Sequence, residues 1–258
     1  MYAAIGFFRE ARNGGNTPGN PITGSIGPID SNTKNVLEGT NPYWRVSYEY
    51  DIDRFALMLG TYGLHFKLYP GSANGLPLTG PTNNYTDVAG DFQFQWIGDD
   101  NSATLKGTYV KENQSLGASY GAGASAPSDW LSYSTLDLTY WYKRRVGFDV
   151  GFVDIHGSTD PLAYPAAPTL CVNGGGGTCG VAAGTPGAYA VGVTNSANSN
   201  PTTDAFTGEV YYAPWLNVKI GLQHTHYSKF NGASSNYDGV GRNASDNDTT
   251  YLYMWFAL

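Results

Sequence analysis

The sequence predicts an all-β fold, a transmembrane antiparallel up-and-down β-barrel with about ten strands in this chain. Three observations predict this class. Only 14% of the residues are charged, against roughly a quarter in a soluble domain, which leaves too few charges for a water-soluble surface. Apolar and polar residues alternate with a period of two in one segment after another. Short and long connections between these segments also alternate, as they do in bacterial outer-membrane barrels.

Charge and apolar run length argue against two other classes. The formal net charge of −7 and the lack of a basic patch argue against a nucleic-acid partner, because phosphate binding needs clustered Lys and Arg. The uninterrupted apolar stretches are only a few residues long, far short of the ~18 to 20 residues of a membrane-spanning helix. If the protein meets a lipid bilayer, it must do so with strands.

The period of two is clearest in residues 88–96. Phe92 and Phe94 alternate there with Asp91 and Gln93, so aromatic side chains occupy one face of the strand and polar side chains the other. The same reading predicts strands near residues 2–9, 43–50, 54–69, 88–96, 103–109, 135–143, 146–152, 206–212, 216–223 and 249–258.

The connections between these strands fall into two length classes. Four are turns of a few residues, near Ile52, Asp100, Arg144 and Pro214. Five are long and polar, and they cover residues 13–41, 70–86, 121–130, 160–203 and 231–248. If the short turns are periplasmic, the last strand ends on the periplasmic side with alternating aromatic residues, a terminus that resembles the assembly signal of outer-membrane barrels.

The two faces of the predicted strands differ in chemistry. Charges of both signs in mid-strand suit a water-filled lumen, and the predicted lumen-lining residues are Arg45, Glu49, Asp91, Lys106, Asp137, Asp149, Glu209 and Lys219. Aromatic residues near strand ends on the apolar face suit two interfacial girdles, and they include Trp44, Tyr50, Trp96, Tyr142 and Trp215. The alternative class is a soluble β-sandwich or a lipocalin-like barrel, whose apolar face points inward.

Four segments resemble a specific family. They are NPYWRVSYEY, YTDVAGDFQFQWIGDD, GSTDPLAY and KFNGASSNYDGVGRNASDND. They are similar to the C-terminal barrel of proteobacterial outer-membrane cytochrome c proteins, or fused cytochrome-porins. That resemblance implies a haem c segment with a CxxCH motif ahead of the barrel and a periplasmic cytochrome as partner. No CxxCH and no signal peptide occur here, so we expect residues 1–258 to be one barrel domain, truncated at its N-terminus, with no cofactor inside this chain.

The two cysteines lie close together in a Gly-rich stretch. Cys171 and Cys179 enclose a short loop, which predicts a surface disulfide in an oxidising compartment. Two free thiols or half of a metal site are the alternatives, and no neighbouring His or Cys supports the metal site.

Three histidines are candidates for a metal site at the outer rim. His156, His224 and His226 all fall late in strands that rise from the short turns, and His together with carboxylates can hold a divalent ion. The alternative is that wet rim strands tolerate polar residues without binding anything.

A rim hydrolase is the enzymatic alternative, although we do not expect an enzyme. The residue types for a base and an orienting carboxylate are supplied by Asp154, His156, Asp160, Asp238, Asp246 and Asp248. Such an activity needs these groups to converge within hydrogen-bonding distance of a nucleophile.

The last long loop could narrow the barrel mouth. Residues 231–247 are dense in Asn, Asp and Gly, which favour compact turns, and Asp238 and Arg242 would set a local field across the pore as a constriction. A self-capped outer loop without a transport role is the alternative.

Together these features predict a porin-like barrel in the outer membrane of a Gram-negative bacterium, with the lipid bilayer as its partner. Its function is expected to be a conduit or, as the resemblance implies, a sheath for a cytochrome in extracellular electron transfer. A passive porin for small solutes or ions, without a redox role, is the alternative.

Overall fold

The computed structural model of the protein describes residues 1–8, 36–69, 80–121, 126–161, 164, 170–172, 188–190, 196–215, 217–239 and 241–256. Its strands are β1 (Tyr2–Phe8), β2 (Val36–Leu37), β3 (Asn41–Ile52), β4 (Phe55–Tyr69), β5 (Asn83–Ile97), β6 (Ser102–Ser115), β7 (Ser128–Tyr142), β8 (Val146–Gly157), β9 (Leu170–Val172), β10 (Ala188–Ala190), β11 (Thr203–Trp215), β12 (Val218–Lys229) and β13 (Thr249–Phe256). Two short helices accompany them, α1 (Gly117–Gly121) and a 3-10 helix (Ala244–Asn247). Neither of these helices is long and apolar enough to cross a membrane.

Ten strands form one antiparallel sheet in the order β1-β3-β4-β5-β6-β7-β8-β11-β12-β13. β2 pairs with the end of β4, and β9 and β10 pair with each other in a separate two-stranded sheet. This order confirms the all-β class and the up-and-down antiparallel arrangement. The sheet is not closed, because within the described residues β1 pairs only with β3 and β13 pairs only with β12. The closed barrel therefore remains a prediction.

Several strands extend further toward the long loops than the alternation predicts. β5 begins at Asn83 rather than Val88, and β7 begins at Ser128 rather than Thr135. The added residues are mostly polar, and they continue the ladder with the neighbouring strands. Alternation reveals a strand only where its two faces meet different surroundings, so it misses strand ends that are polar on both faces.

The fourth short turn lies later in the chain than predicted. β11 continues through Pro214 to Trp215, and β12 begins at Val218. The pairing register shifts between Tyr212 and Trp215, which marks a β-bulge. A bulge takes residues out of the hydrogen-bonding ladder, so Pro214 fits within the strand although it has no N–H to donate.

Cross-strand pairing separates an apolar face from a polar face of the ten-stranded sheet. One complete row of partners on the apolar face is Phe55, Trp96, Ala103, Tyr140, Phe148, Val210, Leu222 and Leu252. A neighbouring row on the polar face is Ala56, Gln95, Thr104, Thr139, Asp149, Glu209, Gln223 and Tyr251. The period of two thus persists from β4 to β13, which are eight of the ten strands of the sheet.

The apolar face is the more exposed of the two. Leu59, Leu136, Val150 and Val210 are each between 46% and 58% exposed. By contrast, the buried apolar residues in the described part of the chain are few, and half of them are alanines: Tyr69, Ala89, Leu116, Ala118, Ala205, Tyr211, Tyr237 and Ala244. The apolar face therefore exposes large side chains on strand after strand, where a soluble monomer exposes only limited patches, and no described element packs against it.

The loop between β12 and β13 folds onto itself and onto the residues before β11. Tyr237, only 2% exposed, packs edge-on against Phe230 and donates a hydrogen bond from its hydroxyl to Asn247 Oδ1. The backbone N–H of Ala197 donates to the Tyr237 carbonyl, and Asn198 Nδ2 donates to a carbonyl of the same loop. This small core is at the rim, the end of the sheet with the long loops.

Candidate functional site

The eight charged residues predicted to line a lumen all lie on the polar face. Their positions follow from the register: Asp91 is opposite Gly60, Lys106 is opposite Asp137, and Glu209 is opposite Asp149. The set contains five carboxylates and three cations, namely Glu49, Asp91, Asp137, Asp149 and Glu209 with Arg45, Lys106 and Lys219. Whether they line a lumen depends on closure of the sheet and stays a prediction.

Arg45 and Asp91 form an ion pair on the polar face. A terminal guanidinium nitrogen of Arg45 donates to Asp91 Oδ2 over 2.6 Å, and the guanidinium carbon lies 5.2 Å from the centre of the Tyr62 ring. The pair crosses β4 at Gly60, where a Cβ would collide with the Asp91 carboxylate. Glycine at this position therefore lets two side chains from non-adjacent strands meet above the backbone.

Lys219 is the centre of a second cluster on the polar face. Its ammonium group donates to Glu209 Oε1 over 3.0 Å and lies 3.9 Å from the centre of the Tyr211 ring. Glu209 also accepts hydrogen bonds from Gln223 Nε2, at 3.2 Å, and from the Tyr253 hydroxyl. The ammonium group is stabilised by the carboxylate and the aromatic ring, and the carboxylate by its hydrogen-bond donors, so the cluster does not depend on an apolar core.

Glycines on the polar face also make room for the aromatic rings. A Cβ at Gly147 would collide with the Tyr211 ring, and a Cβ at Gly221 would collide with the Tyr253 ring. Each ring consequently lies flat across a neighbouring strand instead of pointing away from the sheet. Each ring therefore occupies the place that a side chain at the facing glycine would take.

The rim histidines do not come together in one site. His156 Nε2 lies 2.7 Å from Asp154 Oδ1, whereas His226 Nδ1 lies 2.8 Å from Asp248 Oδ2. His224 Nδ1 lies 3.0 Å from Thr250 Oγ1. Within the described part of the chain, His156 alone among them belongs to a group of three ligand residues, with Asp154 and Asp204.

Asp204 is the member of that group that sequence reasoning missed. It is the second residue of β11 and lies directly opposite Asp154 of β8, although 50 positions separate the two in the chain. The signal that could have found it is the strand pairing itself. Extending the predicted strand 206–212 by one outward-facing position places Asp204 beside Asp154.

Asp248 has an environment that stabilises its charged form. The hydrogen bond from His226, together with one from the backbone N–H of Tyr227, lowers the pKa of Asp248 below its ordinary value. The residue lies between the 3-10 helix and β13, outside the strands.

The residues of the hydrolase alternative are distributed over separate places. Asp160 lies with Asp129 and Ser158 on the wall of a cavity of about 320 Å³, away from the group around His156. Asp246 accepts a hydrogen bond from the backbone N–H of Asn243 and caps the 3-10 helix. No described contact joins these groups to one nucleophile.

Asp238 and Arg242 belong to the self-packed rim loop. Asp238 is 4% exposed, and its Oδ1 accepts a hydrogen bond from the backbone N–H of Arg242. The Arg242 side chain donates to Asn247 Oδ1 and lies over the Tyr237 ring. Both side chains therefore hold the loop together, and their role as a pore constriction stays a prediction.

The predicted disulfide lies outside the described residues, because Cys179 and the side chain of Cys171 are not among them.

Comparisons with known proteins add no relative: no protein-family model, no curated protein and no solved structure matches this chain.

Proposed function

We propose that the chain forms the wall of a β-barrel in the outer membrane of a Gram-negative bacterium and that its polar face lines a conduit for small solutes or ions. The observation that carries this proposal is the exposed apolar face. Moving each of its large side chains from water to apolar surroundings is favourable by roughly 1.5–3 kcal/mol. A bilayer supplies those surroundings along the entire face, whereas no described part of the chain covers it.

The open edges support a closed form in the membrane. Unpaired backbone N–H and C=O groups of β1 and β13 cost several kcal/mol each in hydrocarbon, so a spanning sheet must close. Ten antiparallel strands alternate in direction, which makes β1 and β13 antiparallel to each other and suitable for direct pairing. Pairing with further strands would close the sheet in the same way.

The polar face supports a water-filled interior. Its ion pairs are partly exposed, with the side chains of Arg45 and Asp91 at 23% and 15% exposure and those of Lys219 and Glu209 at 30% and 12%. Charges that are paired with each other and keep some contact with water avoid the full desolvation cost, so this face does not need an apolar partner. The excess of carboxylates over cations favours passage of cations.

The proposal is tested by reconstituting the chain into lipid vesicles and planar bilayers. We expect the chain to fold into lipid, so that its electrophoretic mobility changes when the sample is heated. In planar bilayers we expect stepwise conductance with a modest preference for K⁺ over Cl⁻. The double variant Asp137→Asn, Asp149→Asn should lower that preference, and the matched variant Asp53→Asn, Asp100→Asn, in two exposed short turns, should not. Failure to insert would overturn the barrel, whereas insertion without conductance would overturn the conduit alone.

The cytochrome role rests on the resemblance of the four segments to fused cytochrome-porins. This role is tested by the intact mass and the haem absorption spectrum of the native protein isolated from the outer membranes of its source. A haem-bearing product larger than 27.7 kDa supports a sheath for electron transfer, and a haem-free product supports the simple conduit.

A further inference from the structure

We propose that Asp154, His156 and Asp204 form a binding site for one divalent first-row transition-metal ion on the outer side of the rim. This goes beyond the conduit, because the site lies on the opposite face of the sheet from the lumen. Asp154 and His156 follow Phe152 on β8, and Asp204 precedes Phe206 on β11. The three side chains therefore project just above the apolar part of the same face.

Strand pairing brings the two carboxylates side by side. Asp154 and Asp204 are direct cross-strand partners, a position in which side chains on the same face are about 5 Å apart and like charges repel. Lys229 is at the edge of this group, with its ammonium nitrogen 3.7 Å from Asp204 Oδ2. A divalent ion between the carboxylates would remove this repulsion.

The histidine completes a compact set of ligand atoms. One ligand atom from each of the three residues lies within 4.8 Å of the others, close to the spacing of groups that bind a common ion at about 2.0–2.2 Å. His156 Nε2 faces the carboxylates, while Nδ1 lies 3.5 Å from Thr202 Oγ1. A contact to the second ring nitrogen is the usual way in which a metal-binding imidazole is oriented.

One carboxylate oxygen at the centre of this group lacks a hydrogen bond, and a second has the histidine as its close partner. Asp204 Oδ1 accepts none, and Asp154 Oδ1 has only its close contact with His156 Nε2. Both side chains are only 22–23% exposed, so water does not freely satisfy these atoms. Partly buried oxygens without donors are suited to a cation.

The donor set selects the class of ion. Two carboxylates and one imidazole nitrogen suit Zn²⁺, Mn²⁺ or Fe²⁺, whereas Ca²⁺ and Mg²⁺ favour oxygen ligands alone. The pair His226 and Asp248 serves as an internal comparison, because it has the same histidine–carboxylate contact but belongs to no group of three ligands among the described residues.

The test measures Mn²⁺ binding to the folded full chain in detergent micelles by electron paramagnetic resonance of the free ion, with Zn²⁺ as competitor. We expect one Zn²⁺-displaceable site per chain, weakened at least about tenfold by Asp204→Asn or His156→Ala. Lys229→Gln should strengthen binding severalfold, because it removes a positive charge beside the ion, and His226→Ala should leave binding unchanged.

Three results would overturn the site. They are no Mn²⁺ or Zn²⁺ binding by the wild-type chain, wild-type affinity in Asp204→Asn, or equal losses in His156→Ala and His226→Ala. Asp204→Asn keeps the shape of the side chain, so the test stands even if His156→Ala does not fold. Strand circular dichroism of each variant confirms that the sheet is intact.

Discussion

The two faces of the ten-stranded sheet are built from neighbouring residues and yet have opposite character. Leu59 on the apolar face is 54% exposed, and no described element packs over it, whereas the next residue, Gly60, lies beneath the ion pair of Arg45 and Asp91. One face leaves large apolar groups uncovered, and the other arranges its charges in contact with each other. The difference teaches that the described sheet does not enclose an apolar core, and it is the difference expected of the proposed wall between two media.

The contrast between the faces is limited to one zone of the strands. Along β8 the outward positions run from Phe148, Val150 and Phe152 to Asp154 and His156. The apolar face therefore becomes polar at the rim, and the proposed metal site begins where the apolar zone ends. A boundary of this kind is expected where hydrocarbon gives way to headgroups and water.

The largest expected effect comes from placing a charge on each face at adjacent positions of β7. Leu136→Arg puts a cation in the apolar zone, and we expect it to lower the free energy of unfolding in lipid vesicles by about 2–4 kcal/mol. Thr135→Arg puts the same cation on the polar face and should change that free energy by less than about 1 kcal/mol. Equal losses in the two variants would show that the faces do not meet different media.

A smaller effect is expected from the ion pair on the polar face. Asp91→Asn should lower the free energy of unfolding by about 1–2 kcal/mol, because the charge of Arg45 loses its partner while remaining partly hydrated. A double-mutant cycle with Arg45→Gln isolates the coupling between the two side chains.

The matched control for this cycle is the ion pair of Arg54 and Asp99 at the short turns. It has the same residue types at 3.1 Å, but its side chains are 49% and 86% exposed, so we expect a coupling of about 0–0.5 kcal/mol. A coupling for Arg45 and Asp91 no larger than that of the control would mean that the polar face does not hold its charges in a defined arrangement.

The smallest effect concerns the rim, where both faces are polar. The folded state lowers the pKa of Asp248 from its ordinary 3.8. The ionised carboxylate therefore stabilises the fold at pH values above this ordinary pKa, and the stabilisation is lost as the pH falls through the lowered pKa. Asp248→Asn should therefore shift the urea midpoint slightly at pH 7 and not at about pH 2. A shift that is the same at both pH values would contradict this assignment.

Period-two alternation predicted the strands, their faces and the position of three of the four short turns. It failed at the beginning of β5, which is polar on both faces, and at the beginning of β7, where Trp130 and Leu131 are adjacent and break the alternation. It also failed at Pro214, because a bulge, not a turn, accommodates the missing N–H. The loop around Tyr237 carried no periodic signal, since its small core forms between segments that are far apart in the chain.

The sequence by itself determined which side chains share a face, because successive residues of a strand point to opposite sides regardless of their partners. Only the tertiary structure decided which of those side chains meet. Arg45 reaches Asp91 over Gly60, and Asp204 lies beside Asp154. The physical reason is that hydrogen bonds between strands set the register. Where a long loop connects two strands, the chain does not fix which residues lie opposite each other until the sheet has formed.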